Sequence, residues 1–164
     1  MKPNKLIIFL IFLSISTTAF GETSVTGIAK KAGIKKCLSA VIGMSDFIIG
    51  EGKHHTHASY NTNNPDNRMY STLTSKYYSD GDSHVSIIVT PNTAGTCDAV
   101  YVETYALTNS CMVARENMFK EWKYSGVMNN NTIRLTNSDN SVDIYLTPQG
   151  ESVCLVSKRE MVYL

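Results

Sequence analysis

The sequence predicts an α+β fold made by tandem duplication: two helix-plus-three-antiparallel-strand units (αβββαβββ) closed by two disulfides. Three observations lead there. VTPNTAGTC, ending at Cys97, and LTPQGESVC, ending at Cys154, share an aliphatic residue, Thr-Pro, five variable residues and a cysteine. Laid together without a gap, residues 80–107 and 137–164 agree at Asp82/Asp139, Val85/Val142, Ile87/Ile144, Thr90-Pro91/Thr147-Pro148, Cys97/Cys154, Glu103/Glu160 and Leu107/Leu164. A helical pattern precedes each run of three strands, and each helix carries one cysteine, Cys37 or Cys111.

The first helix follows from Ile34, Leu38, Val41, Ile42, Ile48 and Ile49, apolar at the three-and-four spacing that buries one helix face. Gly33 weakens it before Ile34, and Gly50 and Gly52 end it. Residues 51–68, polar and rich in Asn, have neither helical nor strand period and read as a long loop. Strands follow at 70–79, closed by the turn SDGDS, at 84–90, stopped by Pro91, and at 98–107, all rich in Tyr, Val, Ile and Thr. Ser110 caps a second helix in which Cys111, Ala114, Met118 and Trp122 share a face. After the connection KYSGVMNNN come strands at 132–136, 141–147 and 153–164. Two units, about 26–108 and 109–164, then share a six-stranded antiparallel sheet or form two smaller facing sheets.

Four cysteines allow three pairings. A straight strand over 98–107 carries the chain roughly 33 Å, too far for the next few residues to bring Cys111 back to Cys97. Of the two pairings left, Cys37–Cys97 with Cys111–Cys154 respects the repeat, and Cys37–Cys111 with Cys97–Cys154 is its alternative.

Lys2 and Lys5 precede the apolar run 6–13, and Ala19 and Gly21 stand at the −3 and −1 positions of a cleavage site. That is the form of a secretory signal peptide over 1–21, leaving one globular domain over 22–164, periplasmic or secreted, with no integral membrane segment after cleavage. Removing two lysines and no acids from 15 basic and 14 acidic residues leaves 13 against 14, so no basic excess attracts nucleic acid.

Differences between the units point to function. The long loop is an addition to the first unit, which makes Lys53, His54, His55, His57, Tyr60, Asn64, Asp66 and Arg68 a candidate binding loop. With His84, its histidines His54, His55 and His57 are of the type that ligates Zn²⁺ or Cu²⁺, although no HExxH helix or paired-cysteine spacing accompanies them. Tyr70, Tyr77, Tyr78, Tyr101 and Tyr105 are candidate interface aromatics, and equally ordinary strand residues. Asp82-Ser83-His84 has the residue types of a hydrolytic triad, but neighbours in a tight turn do not form its chain of contacts. Glu103 and Glu160 have the types of a two-carboxylate glycosidase; as repeated positions they fit a shared solvent face or an ion pair with Lys158 or Arg159. No catalytic residue is assigned and no cofactor is expected. The expectation is an exported, non-enzymatic protein that binds another protein of its compartment, of inhibitor or immunity type or an accessory factor of an envelope or secretion system. A metal-binding protein using the histidine loop and an envelope-polymer hydrolase are the alternatives.

Overall fold

Alternation of core-facing and outward residues is longest at Cys97–Leu107, and the sheet is organised around that strand. The structure, a computed structural model, describes residues 21–163; the predicted signal segment lies outside the described residues except for Gly21. In chain order it contains α1 (Ser24–Ala32), α2 (Leu38–Ile48), β1 (His54–Tyr60), a 3-10 turn (Pro65–Asn67), β2 (Tyr70–Lys76), β3 (Ser83–Pro91), β4 (Cys97–Leu107), α3 (Cys111–Asn117), β5 (Lys123–Met128), β6 (Thr132–Thr136), β7 (Val142–Gln149) and β8 (Val153–Val162). All eight strands form one antiparallel sheet in the order β1-β2-β3-β4-β8-β7-β6-β5. Two four-stranded meanders therefore meet at their last strands, and the order reads the same inward from either edge.

Eight strands and three helices correct the expected six and two, and αβββ describes neither half: the first is ααββββ, the second αββββ. Each added element has a local cause. The Thr23 hydroxyl accepts from the Thr26 amide to start α1, and Gly33, at φ 84°, ends it in the left-handed conformation that glycine adopts without strain. The Ile34 amide then returns to the Ala29 carbonyl at 3.0 Å. Gly33 is thus the end of a separate helix and not a weak start to the next. In β1 the residues facing the helices are His54, Thr56, Ala58 and Tyr60, with no aliphatic stripe; Thr56 is held in a hydroxyl chain, Ser24 to Thr56 to Thr74, of 2.8 Å links. The presumed connection KYSGVM is β5, its alternation broken by a bulge between Tyr124 and Gly126.

All three helices lie on one side of the sheet. α1 packs on α2, β1 and β2, α2 on β3 and β4, and α3 on β7 and β8. The opposite side, where Ser71, Ser75, Ser86, Thr104 and Ser157 alternate with Leu73, Ile88, Val100 and Val102, carries no helix among the described residues. Beneath the helices lie two cores with no residue in common. One gathers Val25, Ala29, Val41, Tyr70, Ile87 and Tyr101; the other Ala114, Phe119, Leu135, Ile144, Leu146 and Val156. β4 runs from the first, through Ala99 and Tyr101, to the edge of the second, through Tyr105 and Leu107.

Cys37 is bonded to Cys97 and Cys111 to Cys154, with Cα atoms 5.6 and 4.8 Å apart. Each bond ties the N-terminal end of a helix to the start of β4 or β8. The Thr-Pro-Cys pattern explains itself in register: Pro91 lies opposite Cys97 at the last paired position before its hairpin turn, and Pro148 lies opposite Cys154 one pair before the end of its own. The bonds close sequence separations of 60 and 43 residues. Loop-closure entropy makes each worth about 4 kcal/mol. Cys37→Ala/Cys97→Ala should lower the unfolding free energy in guanidinium by about that amount; a loss under about 1 kcal/mol would mean that the bond does not constrain the unfolded chain.

Candidate functional site

The candidate binding loop is largely framework. His54 to Tyr60 are strand β1, and the sheet turns His54 toward α1, where its Nε2 accepts from the Ser24 amide at 3.1 Å. His55 and His57 project from the opposite face, with His84 two strands away across Ser75. Among the described residues no group of three or more His, Cys, Asp or Glu side chains is brought close enough to hold a metal ion. Lys53 lies over the Tyr77 ring at 5.8 Å, and Tyr60 sits beside Tyr70, ring centres 6.2 Å apart. The Lys35 and Lys36 amides each donate to Asp66 Oδ1 at 2.6 Å, closing the α1–α2 connection. The Lys36 and then the Lys35 amide hold the Asp66 carboxyl below its ordinary value. Asn64 Oδ1 accepts from Asn67 within the 3-10 turn, and Arg68 is exposed. Of the expected addition, residues 54–60 have a counterpart in β5 at the other edge of the sheet, while the connection over 61–69 with its 3-10 turn is longer than the turn between β5 and β6.

The tyrosines divide. Tyr77 and Tyr78 are exposed, but Tyr70 and Tyr101 are buried and Tyr105 is half-buried. Tyr70 donates to the Val25 carbonyl at 2.9 Å, and burial pushes its hydroxyl up to about 12. Burial, then the Glu103 charge, puts Tyr105 at about 12. Burial raises Tyr101 as well, with the Glu160 carboxylate opposite it adding to the effect.

The repeated acids are not on a solvent face. Both point to the helix side of the β4–β8 pair, where Tyr101 faces Glu160 and Glu103 faces Lys158. Glu103, 7 % exposed, accepts from Ser83 Oγ at 2.9 Å and Tyr78 at 3.3 Å and lies 3.8 Å from Lys76 Nζ. Lys76 in turn donates to the Ile48 carbonyl at the C-terminal end of α2 (2.8 Å), the end of a helix that attracts a cation. Of Asp82-Ser83-His84, Ser83 is buried on Glu103, Asp82 accepts from Ser75 and His84 points to the other face. These three do not converge.

Because the two helical covers sit over separate cores, the seam between them is open. A cleft of about 400 Å³ lies between α2 and the β4–β8 pair, walled by Ala40, Gly43, Met44, Phe47 and Val162, with Glu160 in its lining. A second, of similar volume, lies further along β4 between Tyr78, Asp82, Glu103, Tyr105 and Met118.

A surface that the sequence reading passed over is on the same side, at the far edge. Tyr124 pairs with Leu135 and Val127 with Ile133, so all four face the helix side. Yet Tyr124 is 57 % and Val127 49 % exposed, and α3 packs on β7 and β8 instead. An aromatic and an aliphatic within KYSGVM were the only signal, and the bulge between them hid it. Comparison of the chain with protein-family models, curated proteins and solved structures gives no match.

Two outcomes follow. Lys76→Met leaves the Glu103 carboxylate buried without its cation and should cost about 3 kcal/mol in denaturant unfolding, largely recovered in Lys76→Met/Glu103→Gln; equal losses in both variants would remove the ion pair from the explanation. Phenols raised above their ordinary 10.0 favour the fold at all pH below that value, and the contribution is lost as pH climbs through about 12 for Tyr70 and Tyr105. Phenolate absorbance should therefore rise in two stages, exposed tyrosines first and the buried set together with loss of near-ultraviolet dichroism. A single stage in a still-folded protein would contradict that burial.

Proposed function

We propose that this is an exported, non-enzymatic binding protein that receives an amphipathic helix of a partner protein over β5, on the helix side of the sheet. The observation that carries the reading is a difference between the two wings of one sheet. Tyr70 and Thr72 pair with Val89 and Ile87 as Ile133 and Leu135 pair with Leu146 and Ile144. At the edges, Tyr60 and Ala58 correspond in the same way to Val127 and Tyr124. Over the first wing lies α1, burying Tyr70 and Thr72. On the second wing Leu135 is buried in the core beneath α3 and Ile133 packs against that core, while beyond them Tyr124 stays 57 % and Val127 49 % exposed, because α3 packs on β7 and β8. An apolar surface left uncovered where its counterpart is covered is a docking surface of the helix-in-groove kind.

The face is favoured over the edge. The bulge between Tyr124 and Gly126, with Gly126 at φ 135°, interrupts the row of amides that an added strand needs. Export rests on the charged, apolar and small-residue segment at 1–21 and on the two disulfides, which suit an oxidising compartment. Related halves within one domain over 22–164 belong to the same reading, as does a partner from the periplasm or the extracellular space, whether an enzyme held in check or a component of an envelope or secretion assembly.

A photo-activated cross-linker placed at Tyr124 or Val127, in the native host, should yield one adduct with a single heterologous protein. The same probe at Ser86, on the opposite face, should yield none. Absence of an adduct, an adduct of twice the chain's own mass, or equal labelling from both faces would overturn the proposal.

A further inference from the structure

The cleft between α2 and the seam has two features that the chain's own packing does not account for. Gly43 stands in the interior of α2, where glycine costs about 1 kcal/mol relative to alanine. Its backbone has no positive φ, and a Cβ added there would meet nothing within 4 Å. Neither conformation nor a close neighbour calls for glycine, and what the missing side chain leaves is cleft volume. Second, Glu160 is the charged group in an otherwise mostly apolar lining, and no cation lies within ion-pair distance of it among the described residues. Lys158, two residues before it on the same face, instead lies over the rings of Phe47 and Tyr101 at 5.5 and 5.9 Å. The hydroxyl of Tyr101, directly opposite Glu160, is buried and has that carboxylate for its neighbour. A carboxylate without a cation in the wall of a mostly apolar cleft marks a place where a cationic group of a ligand belongs.

We infer that this cleft is a binding site for a small cationic amphiphile, an apolar body of several carbons carrying a primary ammonium. The body lies against Ala40, Gly43, Met44 and Val162, and the ammonium pairs with Glu160. Phe47, 64 % exposed, forms the rim and covers the entered ligand. A carboxylate head is disfavoured, because it would meet Glu160 with like charge in an apolar surround. The site is separate from the β5 surface: it lies on the other half's helix and needs no residue of β5, so either assignment can fail without the other.

Binding is read by amide chemical shifts and calorimetry with hexylamine, hexanol and hexanoate at neutral pH. Hexylamine should bind in the millimolar range or tighter, shifting the amides of Gly43, Ala99 and Val162, with hexanol weaker and hexanoate weakest. Glu160→Gln should weaken hexylamine about tenfold or more, the size of a charge-assisted hydrogen bond, and leave hexanol unchanged. Gly43→Leu, whose side chain has room to enter the cleft, should abolish binding of both. Gly43→Ala reports on folding: it should keep the dichroism spectrum and raise the melting temperature, since the helix gains and nothing clashes. Hexanoate binding as tightly as hexylamine, an unchanged hexylamine affinity in Glu160→Gln or Gly43→Leu, or no saturable binding of any probe would each overturn the inference.

Discussion

The pairing of β4 with β8 is the interaction on which the remaining structure depends. A four-stranded meander ends in a strand with one unpaired edge, and here each half supplies that edge to the other, in register from Ala99 opposite Val162 to Leu107 opposite Cys154. The result is one continuous sheet in which the two longest strands are central and no long edge strand is left exposed. Both disulfides act on this seam. Cys97 begins β4 and Cys154 lies at the start of β8, and because the strands are antiparallel the two anchors are at opposite ends of it. α2 and α3 are thus each pinned to a strand that the other half also holds.

The same arrangement places polar groups at the middle of the helix side. A strand passing between two cores has to cross the gap between their covers, and at the crossing stand Glu103 and Lys158, facing one another. Glu103 is satisfied by Lys76, Ser83 and Tyr78, which in turn reach the end of α2 and the start of β3. A buried carboxylate is costly unless so surrounded, and its network ties the first wing to the seam. Glu160, its neighbour on the other central strand, has no such surround and faces the cleft. Symmetric placement of two acids has led to one structural group and one exposed to whatever enters.

Six strands are legible in the sequence because each is a short run rich in Tyr, Val, Ile and Thr between turn residues, as in Ser83–Pro91, where Val85, Ile87 and Val89 fall at every second position. The cysteine and Thr-Pro spacings are legible because they record hairpin register, proline opposite cysteine. β1 is not, since it packs on α1 through Thr56 hydroxyl bonds and the small Ala58, and an edge strand with polar residues on both faces has no period to find. β5 is not, since a bulge shifts its alternation by one residue. α1 is hidden by its brevity and by Gly33, which sequence alone allows as either a weak interior position or an end. Exposure is the least legible property of all. Tyr70 and Tyr101 look like Tyr77 and Tyr78 in composition, and only the register sends the first pair into the core. For the same reason the exposed β5 edge of the second wing has no signature in the chain: what distinguishes it is a helix that lies elsewhere.

If the seam carries the fold, the last amides to exchange with solvent belong to it. Native-state hydrogen exchange at increasing denaturant tests this directly. The amides of Tyr101, Glu103 and Tyr105 in β4 and of Val156 and Lys158 in β8 should share one opening free energy, equal to that of global unfolding, while amides of β5 open at far lower cost. A β8 that opens with β5, β6 and β7 while β4 stays protected would instead mean two separately stable halves in contact, and the seam would not be what holds the protein together.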